Sequence, residues 1–302
     1  MSDATIEGLT SHDPNRAAPS TARLLVSCKD EPGIVQEVTR LLRSFGCNII
    51  ESHQHTTDPW GGNFSLRIEF AHFLTTNRFL ELSEEFDAAL GVYRDLAWGF
   101  SQPHRAKRIV MMVSKADHAL VEILWRWRRG ELDADVQSVI SNHPDLRGLV
   151  ESFGLPFHHV PVTRETKHLA EQKVLDLIEG HADLLILARY MQILSNEFLG
   201  KAKIPVINIH HSFFPAFDGT GPYEQAKQRG VKLIGATAHY VTEELYAGPI
   251  IGQDVACVTH SHSAKDIARI GAGIEREVLA RALQLHCEDR VIIDGATTVV
   301  FQ

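Results

Sequence analysis

The fold of the first part of the chain is predicted by residues 23–50, which read R-L-L-V-S-C-K-D-E-P-G-I-V-Q-E-V-T-R-L-L-R-S-F-G-C-N-I-I. The short apolar run Arg23 to Cys28 is typical of a strand, and the Pro32-Gly33 pair is typical of a turn. From Gly33 to Phe45 the apolar residues recur at the spacing of one helical face, and Gly46 then ends the helix. This stretch therefore predicts a strand, a turn, a helix and the start of a second strand.

The residues that follow complete this first unit. Strands are predicted over Cys47–Thr56 and Asn63–Phe70, joined by a hairpin turn with the sequence D-P-W-G-G. A helix over Thr75–Leu90 and a last strand over Val92–Phe100 follow. The resulting order, βαββαβ, is that of a ferredoxin-like domain.

Beyond residue 107, strand-like and helix-like segments alternate. This alternation predicts an α/β domain with a doubly wound, mostly parallel, Rossmann-like sheet, which binds ligands at the carboxyl ends of its strands. We therefore expect four parts: a disordered tail at 1–21, a first domain at 22–101, a linker at 102–107 and a second domain at 108–302.

Composition and charge exclude several classes of protein. The 302 residues carry a net charge of −8, whereas a nucleic-acid-binding protein needs an excess of basic residues. No apolar run approaches the roughly 18 residues of a membrane span. The polar N-terminus carries Asp3, Glu7 and Asp13 and resembles neither a secretory nor a mitochondrial targeting segment. We expect a cytoplasmic protein with no nucleic-acid or membrane partner.

The four cysteines and 17 histidines do not form a metal-binding motif. The cysteines lie far apart in the sequence, and none of the histidine pairs has the H-E-x-x-H spacing of a helical zinc site. We therefore expect reduced thiols and no metal site.

The segment 206–215, V-I-N-I-H-H-S-F-F-P, carries the clearest chemical signal. Asn208 and His210 are two residues apart at the end of an apolar strand, so their side chains point to the same face of the sheet. An amide donor beside an imidazole donor is suited to stabilise an oxyanion that forms on an acyl carbon. A polar strand end that only caps the next turn is the alternative interpretation.

Longer motifs in the second domain are similar to those of the formyltetrahydrofolate deformylase family. They are S-N-H-P-D-L-R at 141–147, G-L-P-F-H-H-V-P-V-T at 154–163, A-R-Y-M-Q-I-L-S at 188–195, the N-I-H-H-S-F segment itself, and G-V-K-L-I-G-A-T-A-H-Y-V-T at 230–242. The first domain resembles an ACT domain, on the motifs D-E-P-G-I-V at 30–35 and G-C-N-I-I at 46–50. An ACT domain followed by a formyltransferase-type domain is also the arrangement of that family.

The resemblance implies hydrolysis of 10-formyltetrahydrofolate to tetrahydrofolate and formate, with no cofactor. Asn208 would hold the formyl oxygen, and His210 would stabilise the oxyanion. The pterin ring would bind between two segments of the chain, for which the matching residues are Met191, Gln192, Ile193 and Leu194 on one side and Val241, Thr242, Glu243 and Gly248 on the other.

The ACT resemblance further implies a homo-oligomer and a small amino-acid effector. Backbone N–H groups at a helix start suit the carboxylate of such an effector. The matching residues are Asp30, Pro32 and Gly33 in the turn and Asn48 in the second motif.

The sequence departs from the family pattern at the third catalytic position. An aspartate is expected two residues before the glycine of G-P-I-I, and this chain has Tyr246 there. A carboxylate raises the pKa of the catalytic histidine, whereas a phenol with an ordinary pKa of about 10 is neutral at neutral pH and does so poorly. Nearby carboxylates that could substitute are Glu243, Glu244 and Asp254.

This departure keeps two other functions open. One is a folate- or amino-acid-binding regulatory protein that has lost catalysis. The other is a formyltransferase that acts on an unknown amine. The ordinary glycinamide-ribonucleotide version is disfavoured, because residues 114–118, S-K-A-D-H, lack the glycines of a phosphate-binding loop.

Overall fold

The computed structural model describes residues 19–102, 105–211, 222–244 and 247–302. The chain divides into two compact units, Met1–Phe100 and Ser101–Gln302, and each is described by itself. The predicted tail therefore lies almost wholly outside the described residues.

The first unit is a four-stranded sheet with two helices, and the predicted βαββαβ order is confirmed. Its strands lie in the order β2-β3-β1-β4, with β3 antiparallel to both β1 and β2. Buried residues of β1, β3 and both helices form one hydrophobic core. The elements are β1 (Ser20–Lys29), α1 (Ile34–Ser44), β2 (Asn48–Thr56), β3 (Asn63–His72), α2 (Thr76–Leu90) and β4 (Ala97–Ser101).

The last strand of this unit was predicted to begin at Val92, and that boundary is wrong. The chain turns after α2, where the backbone N–H of Tyr93 donates to the Leu90 carbonyl at 2.9 Å. Asp95 then adopts a left-handed conformation with φ 55°. The apolar residues of this turn face the core without joining the sheet, which is why their pattern resembles a strand.

The second unit is built on a seven-stranded sheet in the order β11-β10-β9-β8-β5-β6-β7, followed by a two-stranded hairpin. The elements are β5 (Lys107–Val113), α3 (His118–Arg128), β6 (Ala134–Ser141), α4 (Arg147–Ser152), β7 (Phe157–His159), α5 (Lys167–Ile178), β8 (Leu184–Leu187), α6 (Asn196–Ala202), β9 (Val206–His210), α7 (Pro222–Arg229), β10 (Leu233–Tyr240), β11 (Ile250–Cys257), α8 (Ala264–Cys287), β12 (Val291–Asp294) and β13 (Thr297–Val300).

The sheet is mostly parallel, as predicted. Strands β5 to β9 run parallel to their neighbours, whereas β10 is antiparallel to both β9 and β11. Both faces are buried, because alternate residues of β5 enter two different core clusters, one with Met111 and the other with Met112. Burial on both faces explains why these strands are continuous apolar runs.

Helix α8 anchors the antiparallel end of this sheet, where it packs against β10 and β11 as well as α3. Its first turn is closed by a capping box between Ser263 and Asp266. No helix in the described ranges has the length and apolar character that crossing a bilayer requires.

Acid is expected to destabilise this end of α8 through His286. Its Nδ1 atom lies 2.7 Å from the Tyr240 hydroxyl, and burial, aided by nearby Lys107, lowers its pKa from 6.5 to about 3. Between these values the unfolded chain binds a proton that the folded chain does not, so stability falls with falling pH by up to about 1.4 kcal/mol per unit. Denaturant unfolding from pH 6.5 to 4 should show a shallower slope for His286→Gln, which keeps an acceptor for Tyr240 but does not titrate. Identical slopes in the two proteins would contradict this.

Candidate functional site

The carboxyl ends of β8 and β9 and the segment after β10 surround a cavity of about 250 Å³. Most of the residues that the sequence singles out for folate chemistry line it. They are Met191, Gln192, Ile193, Leu194, Asn208, His210, Val241, Thr242 and Glu243. The fold therefore brings the two predicted pterin segments and the Asn–His pair together around one space.

Asn208 and His210 lie at the end of β9 and line the same cavity. Their shared direction follows from the alternation of side chains along a strand. His210 is only 9% exposed, and its ring stacks on that of His211, with the ring centroids 5.0 Å apart. The pair therefore presents an amide and an imidazole to a largely desolvated space.

His239, which the sequence analysis does not single out, holds the Asn208 side chain. The two residues face each other across the β9–β10 ladder, and Asn208 Nδ2 lies 3.2 Å from His239 Nε2. His239 Nδ1 lies 2.8 Å from the Tyr240 carbonyl oxygen, which can only accept, so Nδ1 carries the proton. Burial lowers the pKa of His239 and keeps the ring neutral. Nε2 therefore accepts one N–H of Asn208, which leaves the second N–H for a ligand.

Gly248 does not line the cavity but permits this arrangement. The backbone closes tightly here, because Tyr240 N donates to the Pro249 carbonyl at 2.9 Å. A Cβ atom on Gly248 would lie 1.7 Å from the Tyr240 oxygen and 3.1 Å from His239 Nδ1. Only glycine fits at this approach without moving the backbone that orients His239.

The variant Gly248→Ala is expected to lose about 1–3 kcal/mol of unfolding free energy, because the added methyl group overlaps backbone atoms. Gly252→Ala is a matched control on β11, where a new Cβ would meet nothing closer than Arg281 at 3.9 Å. The control should stay within about 0.5 kcal/mol of the parent. Urea unfolding of both variants measures the difference, and equal stabilities would show that the contact at Gly248 imposes no constraint.

One wall of the cavity is the segment after β8. Met191 and Ile193 are 57% and 60% exposed, whereas the Leu194 side chain belongs to the core beneath them. The Met191 backbone N–H donates to Ser114 Oγ at 3.0 Å, which ties this wall to the end of β5. The wall therefore offers apolar edges and backbone groups to a planar ring.

The opposite wall is the segment after β10. Val241 N donates to the Val206 carbonyl at 2.8 Å, and Thr242 Oγ1 donates to the Glu244 carbonyl at 3.0 Å. Of the carboxylates considered as substitutes for the missing aspartate, Glu243 and Glu244 line the cavity. Asp254 lies on β11 and accepts from the neighbouring Val255 N–H, away from the cavity.

Tyr246, the residue at the expected aspartate position, lies outside the described residues. Within the described part of the chain, no group of three or more His, Cys, Asp or Glu side chains is arranged to hold a metal ion.

The four residues matched to an effector site in the first unit do not come together within it. Gly33, with φ 104°, precedes α1, and Asp30 donates its N–H to the Gly62 carbonyl next to the β2–β3 hairpin. Asn48 pairs with Ala71, which lies opposite Thr21 at the other end of the sheet. The register therefore separates Asn48 from the turn that holds Asp30, Pro32 and Gly33.

Comparison with known families covers both units. Residues 22–72 match the ACT domain, and residues 107–283 match the family described as formyl transferase. A glycinamide ribonucleotide transformylase from Symbiobacterium toebii superposes with a TM-score of 0.60 at 28% identity, over 67% of this chain and 97% of its own. The second unit thus has the formyltransferase fold.

Two proteins are similar over nearly the whole chain. A formyltetrahydrofolate deformylase from Mycobacterium tuberculosis strain H37Rv is 50% identical over 279 residues, 92% of this chain and 90% of its own length. The crystal structure of a formyltetrahydrofolate deformylase from Pseudomonas syringae pv. tomato DC3000 has a TM-score of 0.88 at 43% identity, over 95% of this chain and 96% of that one. With both domains in the same order and this degree of identity along them, the chain belongs to the formyltetrahydrofolate deformylase family.

Proposed function

We propose that this protein hydrolyses 10-formyltetrahydrofolate to tetrahydrofolate and formate. The observation that carries the proposal is the pair Asn208 and His210 in one cavity, with the amide of Asn208 held by neutral His239. The similarity to deformylases over the whole chain supports it.

In the proposed reaction, the oxygen of a water molecule attacks the formyl carbon and forms the new C–O bond. The formyl oxygen becomes an oxyanion, which the free N–H of Asn208 and the imidazole of His210 stabilise. The C–N10 bond then breaks, N10 takes up a proton and becomes the amine of tetrahydrofolate, and formate leaves. In this proposal, the backbone groups at 191–194 bind one side of the pterin ring and residues 241–243 bind the other.

The role of Tyr246 is tested by Tyr246→Asp, which restores the family's carboxylate. Formate and tetrahydrofolate released from 10-formyltetrahydrofolate should be equimolar in the parent. A higher rate in the variant would assign the difference to the missing carboxylate. Binding of the folate by the parent without release of either product would contradict the proposed activity.

No cofactor enters the proposed reaction, because the nucleophile is water and the charge that develops is met by side-chain donors. We expect formate release to be unchanged, within about twofold, after dialysis against a chelator. Loss of activity that returns on addition of a divalent cation would contradict this part of the proposal.

We further propose that the ACT domain binds a small amino acid at the turn formed by Asp30, Pro32 and Gly33, and that the cytoplasmic enzyme is a homo-oligomer. The backbone N–H groups at the start of α1 suit the effector's carboxylate. Glycine and methionine are the first effectors to test in the formate assay, and light scattering measures the molecular mass. An unchanged rate with both amino acids, or a monomer, would contradict the corresponding statement.

A further inference from the structure

Glu275 of α8 is a buried carboxylate, 1% exposed, that three other elements hold in place. Its Oε2 atom lies 2.9 Å from His118 Nε2, at the first residue of α3. Tyr223 of α7 donates its hydroxyl to Oε1 at 2.9 Å. Arg189, which follows β8, places Nε 3.4 Å from Oε2. We call these four residues the Glu275 cluster.

The Glu275 cluster lies where open α/β sheets bind ligands. The order of the sheet reverses at β5, whose neighbours are β6 on one side and β8 on the other. Ligands of such folds bind in the crevice at the carboxyl ends of the strands that flank this point. His118 starts the helix after β5 and Arg189 follows β8, so a carboxylate that contacts both fills the crevice from above α8.

The cluster also closes one side of the proposed catalytic cavity. Arg189 and His211 line the cavity, whereas Glu275, His118 and Tyr223 are not among its lining residues. His211, stacked on His210, has its ring centroid 6.4 Å from that of Tyr223. A second substrate that approached the formyl carbon from the β5 side would therefore meet the protein's own side chains.

The charge of Glu275 persists in this setting. Burial acts to raise the pKa of its carboxyl group, but the hydrogen bond from His118 and the positive charge of Arg189 outweigh it, so the pKa is lowered. Like charges brought together at a desolvated site repel by several kcal/mol. A phosphate group at the crevice would face this fixed negative charge.

We propose that Glu275, held by His118, Tyr223 and Arg189, closes the acceptor side of the site to phosphate-bearing amines and thereby restricts the acceptor to water. The proposal rests on the proposed hydrolase function and names what sets its specificity. It assigns to Glu275 a specificity-determining role that complements the absence of glycines at 114–118.

Two variants test the proposal, with inorganic phosphate and glycinamide ribonucleotide as probes. Glu275→Gln keeps the shape and removes the charge, and Glu275→Ala removes both. Glu277→Ala is the matched control, because this exposed residue of the same helix pairs with Arg126, outside the cluster. In the parent and the control, millimolar phosphate should leave formate release unchanged. In both Glu275 variants, phosphate should bind at least about tenfold more tightly and compete with folate turnover.

Binding is measured by calorimetry as well as by inhibition, so a parent that releases no formate refutes the proposed function without deciding the role of Glu275. Phosphate binding as weak in the two folded variants as in the parent would overturn the inference. Loss of the fold in both variants would also overturn it, because Glu275 would then be a structural residue only.

Discussion

Replacement of His210 by alanine is expected to lower kcat for formate release by about 10²- to 10⁴-fold, the range for loss of a positioned acid–base group. The imidazole lies at the end of β9 in the cavity, and the proposal gives it the oxyanion and its proton. His181→Ala is the control, since this exposed histidine precedes β8 and lies away from the cavity. Steady-state assays of the three proteins measure the effect.

The contradicting result is equally clear. A His210→Ala protein that retains its fold and releases formate within a few-fold of the parent rate would show that His210 is not part of the chemistry. The account would then lose its electrostatic partner for Asn208.

Replacement of Asn208 by alanine is expected to lower kcat by about 10²- to 10³-fold, the cost of removing one oxyanion donor. KM should change little, because the lost hydrogen bond strengthens only as charge develops on the formyl oxygen. Asn208→Asp should fall at least as far, since it replaces the donor by a carboxylate next to the developing negative charge. Comparison of kcat with KM for both variants makes the measurement.

A fall in KM-controlled binding with an unchanged kcat would instead place Asn208 in folate recognition. His239 gives an independent check on this point, because its neutral ring orients the Asn208 amide. His239→Phe should reproduce part of the loss in kcat without removing the amide itself.

Features set by local periodicity could be predicted from the sequence. The first helix repeats its apolar residues at helical spacing, and the buried strands of the second unit are continuous apolar runs. The direction shared by Asn208 and His210 also follows from spacing alone, because side chains alternate along any strand. These inferences need no knowledge of distant parts of the chain.

Features set by the pairing of distant segments could not be predicted in this way. The contact of Asn208 with His239 depends on the β9–β10 register, and the separation of Asn48 from Gly33 depends on that of β1, β2 and β3. The setting of Glu275 needs α3, α7, α8 and the segment after β8 together.

Two elements at the edges of the second unit were missed for different reasons. Helix α7 reads P-Y-E-Q-A-K-Q-R and buries little apolar surface of its own, so it has weak periodicity. The hairpin of β12 and β13 does carry a signal, the Asp294-Gly295 pair between two apolar runs, and Gly295 adopts φ 59° as such a turn requires.

The central claim is that water is the acceptor of the formyl group. The most direct test is to incubate the protein with 10-formyltetrahydrofolate in ¹⁸O-enriched water and analyse the products by mass spectrometry. The account predicts formate that carries one ¹⁸O atom, released in equal amount to tetrahydrofolate. Tetrahydrofolate without equimolar formate, or formate without the label, would contradict it.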